Sequence, residues 1–481
     1  MTESHSYHRA KLWQIGFFVL NNTATNIAML LMMFYAFYTQ NVLGLAAAVV
    51  GLIATVMRIF DGITDPLIGF IIDRTDGKFG KFRPFMLTGN IILFITVLAI
   101  FRTNPMKTTI FKYVYTAVLY AIYVIGYTFQ TACTKSAQAA LTDDPKQRPL
   151  FTLFDTIYNT VLFNVGIWFI MSYMGPKYTK NVIDPALWKN VSLIFMGISC
   201  VFTILAIIGI WEKDRTKYFG VGVHAAKIKL KDTWDVLKHN KNLQMLIVAA
   251  STDKLALVAV RGGLVYFFSN MLLNTSLQGT YSLWAIIPAL LVTVIGVRLA
   301  SSGGLKKSFK LFTQLGAVMV VVMIIATPLL SADSSQSVPF TVILLLVLMA
   351  IQVSFSGLAG GIVIPMIADC NDFETYRSGR YMPGMIGTIF SFVDKLISSL
   401  STLFIGLVLT LTGYGHVAIE PNTQLSTAFN IGILFIIFGL PLIGHIASLI
   451  AMKYYNLDDK KMVEVKESIR EKRIQLHTED A

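Results

Sequence analysis

Charged residues are scarce in this sequence: Asp, Glu, Lys and Arg make up 14% of its 481 residues, against about a quarter in an ordinary soluble domain. A chain so poor in charge cannot clothe a water-facing surface, which excludes a soluble globule. Cysteine is scarcer still. Cys133, Cys200 and Cys370 lie too far apart for a disulfide framework or a zinc-ligand set. There is no glycine-rich phosphate loop and no HExxH stretch, and nothing points to an enzyme or to a bound cofactor. The opening segment MTESHSYHRAKLW lacks the short apolar core and small-residue cleavage site of a secretory leader, so the first long apolar run is expected to be retained.

What is abundant is apolar sequence, 55% of the chain. Hydrocarbon about 30 Å thick needs roughly 20 apolar residues per helix. Runs of that kind recur near 12–39, 42–72, 84–101, 113–141, 150–174, 188–211, 242–270, 279–297, 311–330, 338–366, 383–412 and 425–452. They predict an all-α membrane protein of twelve spans embedded in a lipid bilayer. The longest polar interruption divides the chain into an N-terminal six-helix half (1–211), a linker (212–241), a C-terminal half (242–453) and a charged tail (454–481). Two six-helix halves joined by a cytoplasmic linker are the layout of the major facilitator superfamily, in which halves related as repeats place the substrate near the bilayer midplane. The linker is basic and reads as a membrane-surface helix. The tail is too short for a regulatory domain.

Acidic residues are outnumbered, 27 Asp and Glu against 40 Lys and Arg, for a net charge of +13. Such an excess could suggest nucleic acid. Instead, the tails and the even-side loops (2–3, 4–5, 6–7, 8–9 and 10–11) carry most of the bases, the pattern of cytoplasmic segments. Both termini are therefore expected in the cytoplasm, and no nucleic-acid partner is expected.

Ten charges remain in or at the edges of the spans: Arg58, Lys135, Lys254, Arg261 and Lys395 against Asp61, Asp65, Asp155, Asp253 and Asp394. Each costs roughly 2.5–3.5 kcal/mol at the bilayer centre on insertion scales, so such residues pair with one another or line an aqueous cavity. In the second span Arg58, Asp61 and Asp65 fall at i, i+3 and i+7, on one helical face. Two carboxylates a turn apart suit a hard cation, or they share a proton, because neighbouring carboxylates raise each other's affinity for it. Lys254 and Arg261 likewise share one face of the seventh span, as do Thr128, Thr131 and Lys135 in the fourth.

The stretch RIFDGITDPLIGFIIDRTDGKFGKFRPF and the later MIADCNDFETYRSGRYMPGMIGTIFSFVDKL resemble two signatures of the glycoside–pentoside–hexuronide:cation symporters, the melibiose-carrier group. The resemblance implies a monomeric secondary transporter of the bacterial cytoplasmic (inner) membrane that couples Na+, Li+ or H+ to uptake of a sugar or glycoside. It puts the cation between Asp61, Asp65 and Thr128. It carries a cytoplasmic gate onto Asp73, Arg74, Asp369 and Asp372, the last two in a loop between spans 10 and 11, and a lysine onto Lys395.

The sequence departs from the group at the sugar site. The first-span aspartate aligns near Ala24, beside Asn22; the fourth-span aspartate aligns with Thr131; a stacking aromatic is replaced by Lys135; and the fifth-span arginine is absent, with Asp155 in its place. Losing acids and gaining bases moves the cavity in the positive direction. The substrate set is thus expected to be Asn22, Arg58, Thr131, Lys135, Lys254, Arg261 and Lys395 around an anionic glycoside such as a hexuronide, held by charge-assisted hydrogen bonds. Should the span acids pair with the span bases, the expectation becomes a neutral glycoside or pentoside. A lysolipid-type carrier and a non-transporting membrane sensor are the remaining alternatives. Tyr35, Tyr123 and Trp168 are further aromatics that could stack on a sugar ring.

Overall fold

The computed structural model describes residues 9–75, 77–142, 147–215, 237–327, 340–378, 383–465 and 467–469. Among them are 12 helices long and apolar enough to cross a membrane. In chain order they are α1 (Leu12–Asn41), α2 (Ala47–Arg74), α3 (Arg83–Ile100), α4 (Thr109–Ser136), α5 (Arg148–Trp168) and α6 (Pro185–Ile210). The second set is α7 (Lys241–Tyr266), α8 (Thr275–Gly303), α9 (Leu305–Ala326), α10 (Phe340–Ser378), α11 (Pro383–Leu411) and α12 (Thr427–Tyr454). Most of the linker, residues 216–236, lies outside the described residues, as does His224 within it.

Helix starts follow local chemistry. Side-chain oxygens of Thr108, Asp184, Asn240, Asn274 and Ser426 accept orphan amides at the starts of α4, α6, α7, α8 and α12. Prolines open α3, α5 and α6, where a missing N–H loses no bond.

Two boundaries differ from the sequence expectation. Gly304 alone separates α8 from α9, and its φ of +84° suits glycine. More consequentially, α10 does not stop near residue 366 but passes through Pro365 and runs on to Ser378. Met366, Cys370 and Glu374 are all buried in that extension. Their i, i+4, i+8 spacing is one helical face, so packing continues the helix past its proline. Asp369 and Asp372 accordingly sit on the last turns of α10, not in a loop.

The helices pack as two six-helix bundles, joined chiefly along α2–α11 and α5–α8. Within a membrane, apolar helices gain little by hiding from lipid, and close packing of small residues replaces that drive. Matching glycines do this in each half. A Cβ at Gly209 would stand 2.8 Å from the Phe18 amide, closing α6 on α1, and one at Gly444 would stand 2.8 Å from the Thr252 carbonyl, closing α12 on α7. A second device also recurs. Asp214, just after α6, accepts the amides of Lys81 (2.9 Å), Phe82 (3.1 Å) and Arg83 (3.0 Å) at the start of α3. A carboxylate at a helix N-terminus is favoured by the helix dipole as well as by those amides. Gly80, with φ +86°, leaves room for it, and Asp459 stands against Gly304 in the same way after α12.

On the face away from the termini the two halves are sealed by uncharged groups. Tyr266 donates to Gln40 Oε1 (3.0 Å), whose amide donates to the Tyr414 carbonyl (3.0 Å). Asn41 Oδ1 accepts the Ile419 amide at 2.7 Å, the Ala47 amide reaches the Gly415 carbonyl at 2.9 Å, and Ser172, in the wider turn that continues α5, donates to the Ser276 carbonyl at 2.6 Å. Below this seal α2 and α11 touch backbone to backbone: a Cβ at Gly51 would stand 2.8 Å from Leu403 Cα.

Candidate functional site

Midway along α2 the period of the helix turns Arg58, Asp61 and Asp65 toward α4 and α11. The site is centred on Lys395 of α11, whose ammonium lies 2.9 Å from Asp61 Oδ2 and 2.5 Å from Asp65 Oδ2. Arg58 adds a longer contact to Asp61 Oδ2 at 3.6 Å. From α4, Thr128 donates to Asp61 Oδ1 at 3.3 Å. Asp61 is 2% exposed and Asp65 31%, so the pair grades from a buried end to an open one. Asp61 Oδ2 is buried, with the Lys395 ammonium at 2.9 Å as its close partner and Arg58 at 3.6 Å. Carboxylate oxygens are also what a small hard cation takes as ligands. Asp61, Asp65 and the Thr128 hydroxyl thus bring their oxygens together around the Lys395 ammonium.

Around this centre the expected substrate residues separate into held and open groups. Lys254 of α7 is joined to Asp394 of α11 in a short ion pair. Asn22 of α1 donates to Asp155 Oδ1 of α5 at 2.6 Å, so the acid beside the first span is held by an amide. The Thr131 hydroxyl returns to its own helix, donating to the Thr128 carbonyl at 3.3 Å. Lys135, on the last turn of α4, is exposed and has no ion-pair partner among the described residues. Arg261 is exposed one face along α7, with the Tyr281 phenol of α8 as an electrostatic neighbour. Of the five bases in the expected substrate set, Arg58, Lys254 and Lys395 thus face aspartates.

Of the gate residues, Asp369 lines a small cleft with Gly304, Lys306, Asp458 and Asp459, and Asp372 is half-buried on the same extension of α10. The side chains of Asp73 and Arg74 lie outside the described residues.

Sequence reasoning missed two groups. Tyr120, Tyr123 and Tyr127 climb one face of α4 and surround Arg58 electrostatically; their i, i+3, i+7 spacing is legible, although only Tyr123 was singled out. Tyr35 is not in the cavity but packs edge-on against Tyr120 at 4.8 Å, 2% exposed. The second missed group is the partner of Asp253: His445, a solitary histidine on α12.

A family model described as MFS/sugar transport protein matches residues 17–459 of this chain. The chain belongs to that family. It is a secondary active transporter of the symporter type for a small solute, not an enzyme. Over 455 residues it is 26% identical to the uncharacterized symporter YnaJ of Bacillus subtilis, an overlap of 93% of this chain and 91% of that one. Over 445 residues it is 25% identical to the isoprimeverose transporter of Lactiplantibacillus pentosus, covering 91% and 87%. In structure it resembles a bacterial homolog of the human lysosomal transporter Spinster in an inward-facing, unoccupied conformation. There the TM-score is 0.61 at 12% identity, over 96% of this chain and 98% of that one, a likeness of fold alone.

Proposed function

We propose that this transporter couples inward movement of a monovalent cation to uptake of a neutral glycoside or pentoside. It would act as a monomer of the melibiose-carrier group in a bacterial inner membrane with both termini cytoplasmic. The observation that carries the proposal is Lys395 lying across Asp61 and Asp65. Its ammonium is a tethered cation on the very oxygens that a free ion would use. A free Na+, Li+ or H+ arriving at the aspartates releases Lys395, and the release is what α11 would transmit to the other half along the α2–α11 contact.

Neutrality of the solute follows from the same bookkeeping of charge. With Lys395 on α2 and Lys254 on Asp394, two of the bases expected to hold an anion are compensated. What remains for a solute, besides Lys135 and Arg261, is a set of amides, hydroxyls and phenols, the groups that match sugar hydroxyls. The isoprimeverose transporter among its relatives, named for an uncharged sugar, supports this choice over the hexuronide.

The test is uptake into proteoliposomes of paired substrates, a neutral glycoside and its uronide, under imposed Na+, Li+ or H+ gradients. The expected result is preference for the neutral sugar and acceleration by one of the three gradients. Preference for the uronide would refute the neutral reading, and uptake indifferent to every gradient would refute the coupling.

A further inference from the structure

In the core of the C-terminal half, away from the α2 carboxylates, Asp253 of α7 is 6% exposed and His445 of α12 is 1% exposed. His445 Nδ1 lies 2.9 Å from Asp253 Oδ1. The other carboxylate oxygen accepts from Ser448 (3.0 Å) and Thr313 (3.3 Å). Ser448, Thr313 and His445 thus converge on this one carboxylate. A carboxylate only accepts, so Nδ1 carries a proton and points it at Asp253. The titratable atom left over is His445 Nε2.

That atom faces Gln352 of α10. The Gln352 amide nitrogen lies 3.2 Å from His445 Nε2 and donates to Ser356 Oγ at 3.1 Å. An amide nitrogen has two protons and an amide oxygen two lone pairs. With Nε2 bare, both protons are used, one on Nε2 and one on Ser356. Rotating the amide by half a turn gives the mirror arrangement, with its oxygen accepting from a protonated Nε2 and from the Ser356 hydroxyl. In both arrangements His445 Nε2 and Ser356 Oγ keep a bond to the Gln352 amide, so Nε2 has a partner with or without its proton. The first arrangement leaves one negative charge in an apolar core, and the second makes a neutral ion pair. On α9, Gly316 lies opposite the imidazole, and a Cβ there would stand 3.1 Å from Nε2.

We propose that Asp253 and His445 form a proton-binding site of the C-terminal half, distinct from the α2 cation site, in which the imidazole Nε2 takes up or releases one proton as Gln352 turns its amide. Other charges on the packed elements face elsewhere. Lys254, next to Asp253 on α7, is engaged by Asp394 of α11, and Lys395 by Asp61 and Asp65. The charged residues of α9, Lys306, Lys307 and Lys310, are in its opening turns. Those of α10, Asp369, Asp372, Glu374 and Arg377, are in its closing ones, and Lys453 is near the end of α12. The site binds together α7, α9, α10 and α12, so its charge bears directly on how α7 presents Lys254 to Asp394.

The test uses the full-length chain, labelled with 15N-histidine and held in lipid nanodiscs, titrated from about pH 5 to pH 9. The His445 ring signals are assigned by their loss in His445→Gln and, should that variant fail to fold, by their displacement in Gly316→Ala. The expected result is a passage from one to two protonated ring nitrogens inside that range. Asp253→Asn should lower the midpoint by at least one unit, a tenfold weaker hold on the proton, while Asp65→Asn leaves it in place. A His445 ring that keeps one protonation state throughout would overturn the proposal. So would a midpoint that follows Asp65→Asn as closely as Asp253→Asn. The readout is proton occupancy, so it stands or falls separately from the choice of solute or coupling ion.

Discussion

Removing the ammonium of Lys395 should tighten binding of the coupling ion while it destroys coupled transport. In the resting site the single ammonium of Lys395 bridges two carboxylates at 2.9 Å and 2.5 Å. An incoming cation must displace it. Breaking a buried charge pair at one partner costs about 3–5 kcal/mol. Lys395 is 18% exposed and Asp65 31%, which brings the figure for this site to about 2–3 kcal/mol once screening is allowed for. In Lys395→Gln that sum no longer opposes the ion, and its affinity should rise roughly 30- to 150-fold at 1.4 kcal/mol per tenfold. The same variant leaves the ion-free site with two uncompensated acids beside Arg58, so the empty carrier should return slowly and net accumulation should vanish. Isothermal titration of purified wild type and variant with Na+, Li+ and a change of pH measures the first effect, and gradient-driven uptake measures the second. An ion affinity unchanged or weakened in Lys395→Gln would show that the ammonium is part of the scaffold and not a competitor, and the displacement argument would fail.

Asp61→Asn or Asp65→Asn should abolish ion-driven accumulation while sparing ion-independent solute exchange; full gradient-driven uptake in either variant counts against the ion site. Thr128→Ala removes one 3.3 Å bond to Asp61, worth about 1 kcal/mol, and should weaken ion stimulation several-fold with little change in sugar selectivity, read from ion-activation curves. For the neutral-sugar reading, Lys135→Gln should alter the half-saturating concentration of a neutral glycoside by less than about threefold, since a solute without charge gains no ion pair there; competition assays would contradict this by showing a steep loss. Gly51→Leu places a side chain against the Leu403 backbone and should splay the sealed face. Spin-label distances between Met106 and Val417, two exposed loop residues, should then lengthen, and no change would place the tight contact elsewhere.

Helix number and the acid pair on α2 were legible because both are local: one is a count of apolar runs, the other an i, i+4 spacing. Pairing was not. Lys254 and Asp394 are 140 residues apart and Lys395 and Asp65 330, so the sequence exhibits the charges without their partners, and five bases beside five acids read as an anion site as readily as a set of pairs. Asp253 next to Lys254 illustrates why. Adjacent helical residues point about 100° apart, which sends one toward His445 and the other toward Asp394. The extension of α10 past Pro365 was hidden for a different reason: a proline predicts a stop, and only the buried face formed by Met366, Cys370 and Glu374 overrides it.

The seal on the face away from the termini has an electrical consequence. Its bonds run between amides, phenols, hydroxyls and backbone groups of Gln40, Asn41, Tyr266, Tyr414 and Ser172, none of which carries net charge. A transmembrane potential acts with about 2.3 kcal/mol per elementary charge per 100 mV. Parting these groups moves no such charge through the field. Voltage therefore has no direct grip on that door and bears on the cycle through the charged groups inside the spans, the ion and the Lys395–aspartate site among them.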